Sequence, residues 1–154
     1  FLEFIGIGAL PWKTDGFFAK ALIIIAITWR WLGYNAIIIL SGLQNIPDDI
    51  YESASLDGAS RVKQFIHITV PMLKPILLFC AILSTIGTFQ LFAEPMILTG
   101  GGPSHETTSV MLYIYNTAFG TFDFGFASAG AYVITTLIAI FSYAQIKMTR
   151  GGEI

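Results

Sequence analysis

The sequence predicts an all-α integral membrane chain that forms part of a larger bundle, and three observations carry that reading. Hydrophobic residues make up 55% of the 154 positions and charged residues only 12%, where a soluble domain carries about a quarter charged residues. Three long stretches are almost free of charge, so lipid is the solvent they suit. Aromatic residues, 14% of the chain, gather near the ends of those stretches, as interfacial anchors do. A formal charge of −2 without a basic block leaves no electrostatic footprint for nucleic acid. The single cysteine, Cys80, lies in an apolar run, which excludes an internal disulfide and offers no metal site. The chain starts at Phe1, residues 1–10 lack the charged region of a signal peptide, and the whole reads as a fragment of something longer.

The predicted spans are residues 17–43, 73–98 and 125–146. At roughly 1.5 Å per residue each reaches at least about 30 Å, the thickness of the hydrocarbon core. Charge gives their direction. The connection 44–72 carries Arg61 and Lys63, with Lys74 just after it, and the C-terminal end carries Lys147 and Arg150. The connection 99–124 has no Lys or Arg, and the N-terminal stretch offers Lys13, with Lys20 at the start of its span. By the positive-inside rule, 44–72 and the C-terminus are cytoplasmic, while 1–16 and 99–124 lie outside.

The inner connection has its own predicted structure. Pro47 followed by Asp48 and Asp49 marks a helix start, because proline has no N–H to waste and the carboxylates meet the positive end of the helix. That helix should run to about Leu56, where Asp57 and Gly58 break it. A second helix, 60–69, should stop before Pro71, with Val62, Phe65, Ile66 and Thr69 on one apolar face. Two short amphipathic helices at an angle form a knob suited to another protein's groove. A loop lying in the headgroup layer is the alternative that composition leaves open.

Residue order narrows the choice. Glu52-Ser53-Ala54, three residues, Gly58, nine residues, Ile68, one residue, then Val70-Pro71 resembles the "EAA" loop of binding-protein-dependent ABC importer permeases. That pattern is Glu-Ala-Ala, three, Gly, nine, Ile, one, Leu-Pro. Ser53 and Val70 depart from it while keeping size or apolarity. Ile46-Pro47, Tyr51 and Leu56-Asp57-Gly58-Ala59 extend the match. The resemblance implies a coupling loop that inserts into a cleft on an ATPase subunit. Carried over, Glu52 is the acidic contact, Ala54 the close-packed residue and Gly58 the turn, with Asp57 and Ala59 beside it. It also implies a non-catalytic chain with no cofactor of its own, ATP being bound by the partner.

A second resemblance covers most of the chain from residue 17 onward. Leu98-Thr99-Gly100-Gly101-Gly102-Pro103, then Thr107-Thr108 and residues 113–119, with Trp31-Leu32-Gly33-Tyr34 and Phe122-Asp123-Phe124-Gly125, is similar to the maltose-type sugar permeases, and to their larger, F-type member. This implies a sugar or oligosaccharide solute and a bacterial inner-membrane location. It further implies a six-span or larger permease, a second permease subunit, a pair of ATPase subunits and an external solute-binding protein. The glycine run itself is a turn and not a phosphate loop, since no Gly-Lys-Ser/Thr follows.

Polar or small residues sharing a face of a span mark either a cavity or a helix contact. Ser84, Gly87, Thr88 and Leu91 share one face of the second span, and Trp29 and Gly33 share one on the first. The resemblance places the solute pathway against the second span; packing is the competing reading at each of the six. Trp29 could stack on a sugar ring or simply anchor the helix. Arg30 stands deep in its span, where insertion scales assign a cost of roughly 2.5–3.5 kcal/mol, so it should face the bundle interior or a kink opened near Gly33. Glu94, next to Pro95, should reach the interface. Gly125, Ala127, Ala129 and Ala131 form small-residue pairs that favour close helix contact.

Two other classes compete. An intramembrane enzyme needs paired acids, a Ser–His pair or metal ligands within the spans, yet His67 and His105 fall in opposite connections. A non-transporting membrane scaffold explains the spans but not the EAA spacing. Within the permease class, a non-sugar solute such as a polyol phosphate stays open.

Overall fold

A computed structural model describes residues 11–150, and the remainder of the N-terminal stretch expected outside lies beyond them. The described residues form helices joined by turns and irregular segments, without strands. Asp15 starts α1, Gly16–Gln44, by accepting the N–H groups of Phe17 and Phe18 at 2.9 and 3.2 Å, which satisfies donors that the first turn otherwise strands. Two short helices follow, α2 (Asp48–Leu56) and α3 (Arg61–Gln64). A π turn over Phe65–Thr69 then leads into α4, Val70–Phe89. Beyond a break and a second π turn, Pro95–Thr99, come α5 (Val110–Tyr115), a third π turn at Asn116–Gly120 and α6 (Phe124–Arg150).

Three continuous helices are long and apolar enough to cross a membrane: Gly16–Gln44, Arg61–Phe89 and Phe124–Thr149. At most 17% of the residues in their apolar stretches are buried inside the chain. Side chains such as Phe17, Ile37 and Tyr132 therefore project outward, as lipid or further helices require. α4 is the middle helix, packed on α1 along one side and on α6 along the other. Polar glue joins both pairs: Asn35 donates to the Ser84 hydroxyl at 3.1 Å, and Gln145 to Thr85 at 2.7 Å.

The second span differs from its expected limits at both ends. The short helix expected over 60–69 does not stop before Pro71 but runs on into the span, because the π turn places the Val70 N–H on the Phe65 carbonyl. The shifted ladder carries the helix through a proline that has no N–H to lose. Its outer end stops at Phe89 and does not reach Leu98. Residues 90–92 leave the helix, which restarts at Ala93 and runs on through the π turn Pro95–Thr99. The outer connection holds a helix that hydropathy did not reveal. Ser109 caps α5 by accepting the Leu112 N–H at 3.2 Å. On α6, of the expected small residues only Ala127 is buried; Gly130 makes the close contact, against Ile114.

Candidate functional site

The knob formed by α2 and α3 is built from the backbone outward. α2 has Asp48 and Asp49 in its first turn, where the helix dipole favours negative charge. It ends at Gly58 with φ of 77°, a left-handed conformation that glycine adopts at little cost. The Gly58 N–H bonds the Ser55 carbonyl at 3.0 Å, and the Ala59 N–H bonds the Ala54 carbonyl at 2.9 Å. This pair of bonds is the Schellman motif, and it closes the carbonyls that a helix end leaves open. The turn is thus specified by Asp57-Gly58, as the residue order led us to expect.

Side chains lock the two short helices together. Gln64 Nε2 donates to Ser55 Oγ at 2.8 Å and to the Ala59 carbonyl at 3.2 Å. Tyr51 and Thr69 hydroxyls meet at 2.8 Å, and Thr69 is buried. Thr69 therefore leaves the apolar face expected of residues 62–69, while Val62, Phe65 and Ile66 stay on the surface. Glu52, Asp57 and Gly58 are exposed, and Ala54 and Ala59 are half-buried under the turn. Leu56 is 90% exposed at the tip. Neither Leu56 nor Gln64 was singled out from sequence. Leu56 stood in the matched pattern; Gln64 gave no signal, because its partners are set by the bend.

The six pathway candidates do not line one cavity within this chain. Any Cβ on Gly87 would collide with the Trp31 ring, so the absence of a side chain there makes a notch for the indole. Ser84 accepts from Asn35. Both therefore sit in the α1–α4 contact. Trp29 and Gly33 lie two residues either side of Trp31 and so point away from α4. Trp29 is 81% exposed, and nothing lies within 4 Å of a Cβ at Gly33. Thr88 is exposed and bonds its own helix at the Ser84 carbonyl, 2.7 Å away. Leu91 is half-buried, and its carbonyl accepts from Ser109. A cleft of about 860 Å³ opens elsewhere, in the outer connection, lined by His105, Ser109, Tyr113, Asn116 and Asp123 among others.

Arg30 is not enclosed as expected but half exposed, and its charge is met by Glu94 at 2.5 Å. Glu94 turns onto α1: its side chain is 13% exposed, against 49% for Arg30. The break after Phe89 lets the carboxylate swing onto α1. Among the described residues no group of three or more His, Cys, Asp or Glu could hold a metal ion.

Comparison with known proteins gives consistent results. Residues 1–148 match the family described as binding-protein-dependent transport system inner membrane component. The chain is 49% identical over 144 residues to the lactose transport system permease protein LacF of Rhizobium radiobacter, covering 92% of this chain and 48% of that protein. It is 36% identical over 149 residues to the trehalose/maltose transport system permease protein MalF of Thermococcus litoralis, covering 97% and 50%. The fold is similar to a chain from the crystal structure of a bacterial ABC transporter involved in the import of the acidic polysaccharide alginate. The TM-score is 0.81 at 22% identity, over 97% of this chain and 52% of that one. This chain thus spans about half the length of the relatives it matches.

Proposed function

The chain belongs to the family of binding-protein-dependent transport system inner membrane components, a multi-pass membrane family, and from that premise we propose that it serves a bacterial ATP-driven importer of sugars or oligosaccharides. In this reading residues 44–72 and the C-terminus face the cytoplasm. The knob of α2 and α3 docks in a cleft on an ATPase subunit that binds and hydrolyses ATP. A second permease subunit completes the solute path, and an external binding protein delivers the solute. The observation that carries the reading is the knob itself. It is held together by its own bonds, yet presents Leu56, Glu52 and the bare Gly58 turn to the outside. An apolar tip of this kind, rimmed by acids, is suited to a partner's groove. Two relatives named for lactose and for trehalose/maltose transport support the sugar assignment.

Ser84 and Gly87 serve helix packing in this reading, and the solute path falls to the outward face of α1 at Trp29 and Gly33 and to the exposed Thr88. The test uses the full-length permease assembled with its partners. Glu52→Lys should leave the permease in the membrane while its ATPase no longer co-purifies and uptake falls. Normal uptake by that variant would overturn the docking assignment. A thermal-shift screen of the cognate binding protein against oligosaccharides and polyol phosphates identifies the solute class, and stabilisation by the phosphates alone would overturn the sugar assignment.

A further inference from the structure

Arg30 stands at the midpoint of α1, as many residues from Gly16 as from Gln44. Its partner does not come from a neighbouring span. Glu94 lies in the short helical turn that restarts after the break at residues 90–92 and leads into Pro95–Thr99, which places the start of the outer connection at mid-depth along α1. Further on, Glu106 meets Lys20 at 2.6 Å. Lys20 lies about 15 Å nearer the start of α1, at roughly 1.5 Å per residue. Residues 94–106 therefore climb the side of α1 between two ion pairs. The climbing segment is braced internally: Thr107 Oγ1 lies 2.6 Å from Thr99 Oγ1 and donates to the Gly102 carbonyl at 2.7 Å.

We propose that residues 94–106 form an outer strap, and that the deep Arg30–Glu94 pair is the clasp that makes the strap and α1 move as one body. The two pairs are unequal. Lys20 and Glu106 are 51% and 44% exposed, and an exposed pair contributes little and weakens in salt. At the deep clasp Glu94 is nearly enclosed, and the Arg30 guanidinium also lies 5.5 Å over the Trp31 ring. That ring is seated in turn in the Gly87 notch of α4. One cation thus ties α1, α4 and the strap at a single level. At its other end α1 runs through Asn45 and Ile46 into the inner knob. A displacement imposed on the knob would reach the strap through α1 and this clasp. That last step rests on the coupling role proposed above; the clasp itself rests on geometry alone.

The alternative is that Glu94 only neutralises a costly cation. The two separate in full-length permease assembled with its partner subunits, comparing Arg30→Met, Glu94→Gln, the double neutral variant and Lys20→Met. Two rates are read, protease cleavage of the strap from the outer side and solute uptake. Each deep single variant leaves a charge without its partner, and cleavage should rise at least about tenfold. The double variant removes both charges, so it keeps the membrane fold while its strap stays as cleavable as in the single variants. Lys20→Met should change cleavage less than about threefold. Uptake should fall in step with cleavage in all three deep variants. Cleavage restored to the parent rate in the double variant would show that the pair merely neutralises charge, and would overturn the clasp. Faster cleavage with unchanged uptake would uphold the clasp and overturn the transfer of motion through it.

Discussion

The two ends of α4 are built on opposite plans. At the inner end, the knob bonds to itself: the Schellman turn, Gln64 across the bend and Tyr51 on Thr69 all lie within residues 51–69. Its apolar side chains are left on the outside. At the outer end, the strap bonds to α1 through Glu94 on Arg30 and Glu106 on Lys20. The contrast teaches what each end is free to do. A self-supporting unit with an unsatisfied surface can engage a partner without unfolding, whereas a segment fastened to its own helices follows them.

Several substitutions would break or sharpen this contrast. Trp31→Ala empties the Gly87 notch, and because Trp31 is half-buried the cost should fall below the figure of about 3–5 kcal/mol for a fully buried aromatic. The melting temperature of the purified full-length permease should fall, while binding to its ATPase persists; an unchanged melting temperature would remove the notch from the account. Gly58→Asp forces a side chain into φ of 77° at about 1–3 kcal/mol. Uptake should drop with the permease still in the membrane and α1–α4 packing intact. Gln64→Ala leaves the Ser55 hydroxyl and the Ala59 carbonyl without this donor, for about 1 kcal/mol. Hydrogen exchange should quicken in residues 48–64 and nowhere in the strap. Asn35→Ala removes one inter-span bond worth roughly 0.6 kcal/mol, a small melting shift that a Ser84→Ala variant should reproduce without adding to it.

Much of this molecule was legible before any coordinates. Hydropathy marked three spans because the bilayer imposes a fixed length on any helix that crosses it. The knob's turn was legible because Asp57-Gly58 acts through local backbone preference. Asp15 and Asp123, which were not singled out from sequence, cap their helices by the same local means, the latter accepting the Phe126 N–H at 3.0 Å. By itself, then, the sequence determined the elements whose causes lie within a few residues or in the solvent.

Only the tertiary structure decided what those elements do to one another. Periodicity puts Ser84, Gly87 and Thr88 on one face of α4, but it cannot say that Trp31 fills the space beside Gly87. Arg30 had to find a partner inside the bundle, yet that the partner would be Glu94 depended on α4 breaking after Phe89 and the chain folding back on α1. The physical reason is common to both: packing and ion pairing join residues far apart in sequence, and their geometry is set by where helices end and how they cross.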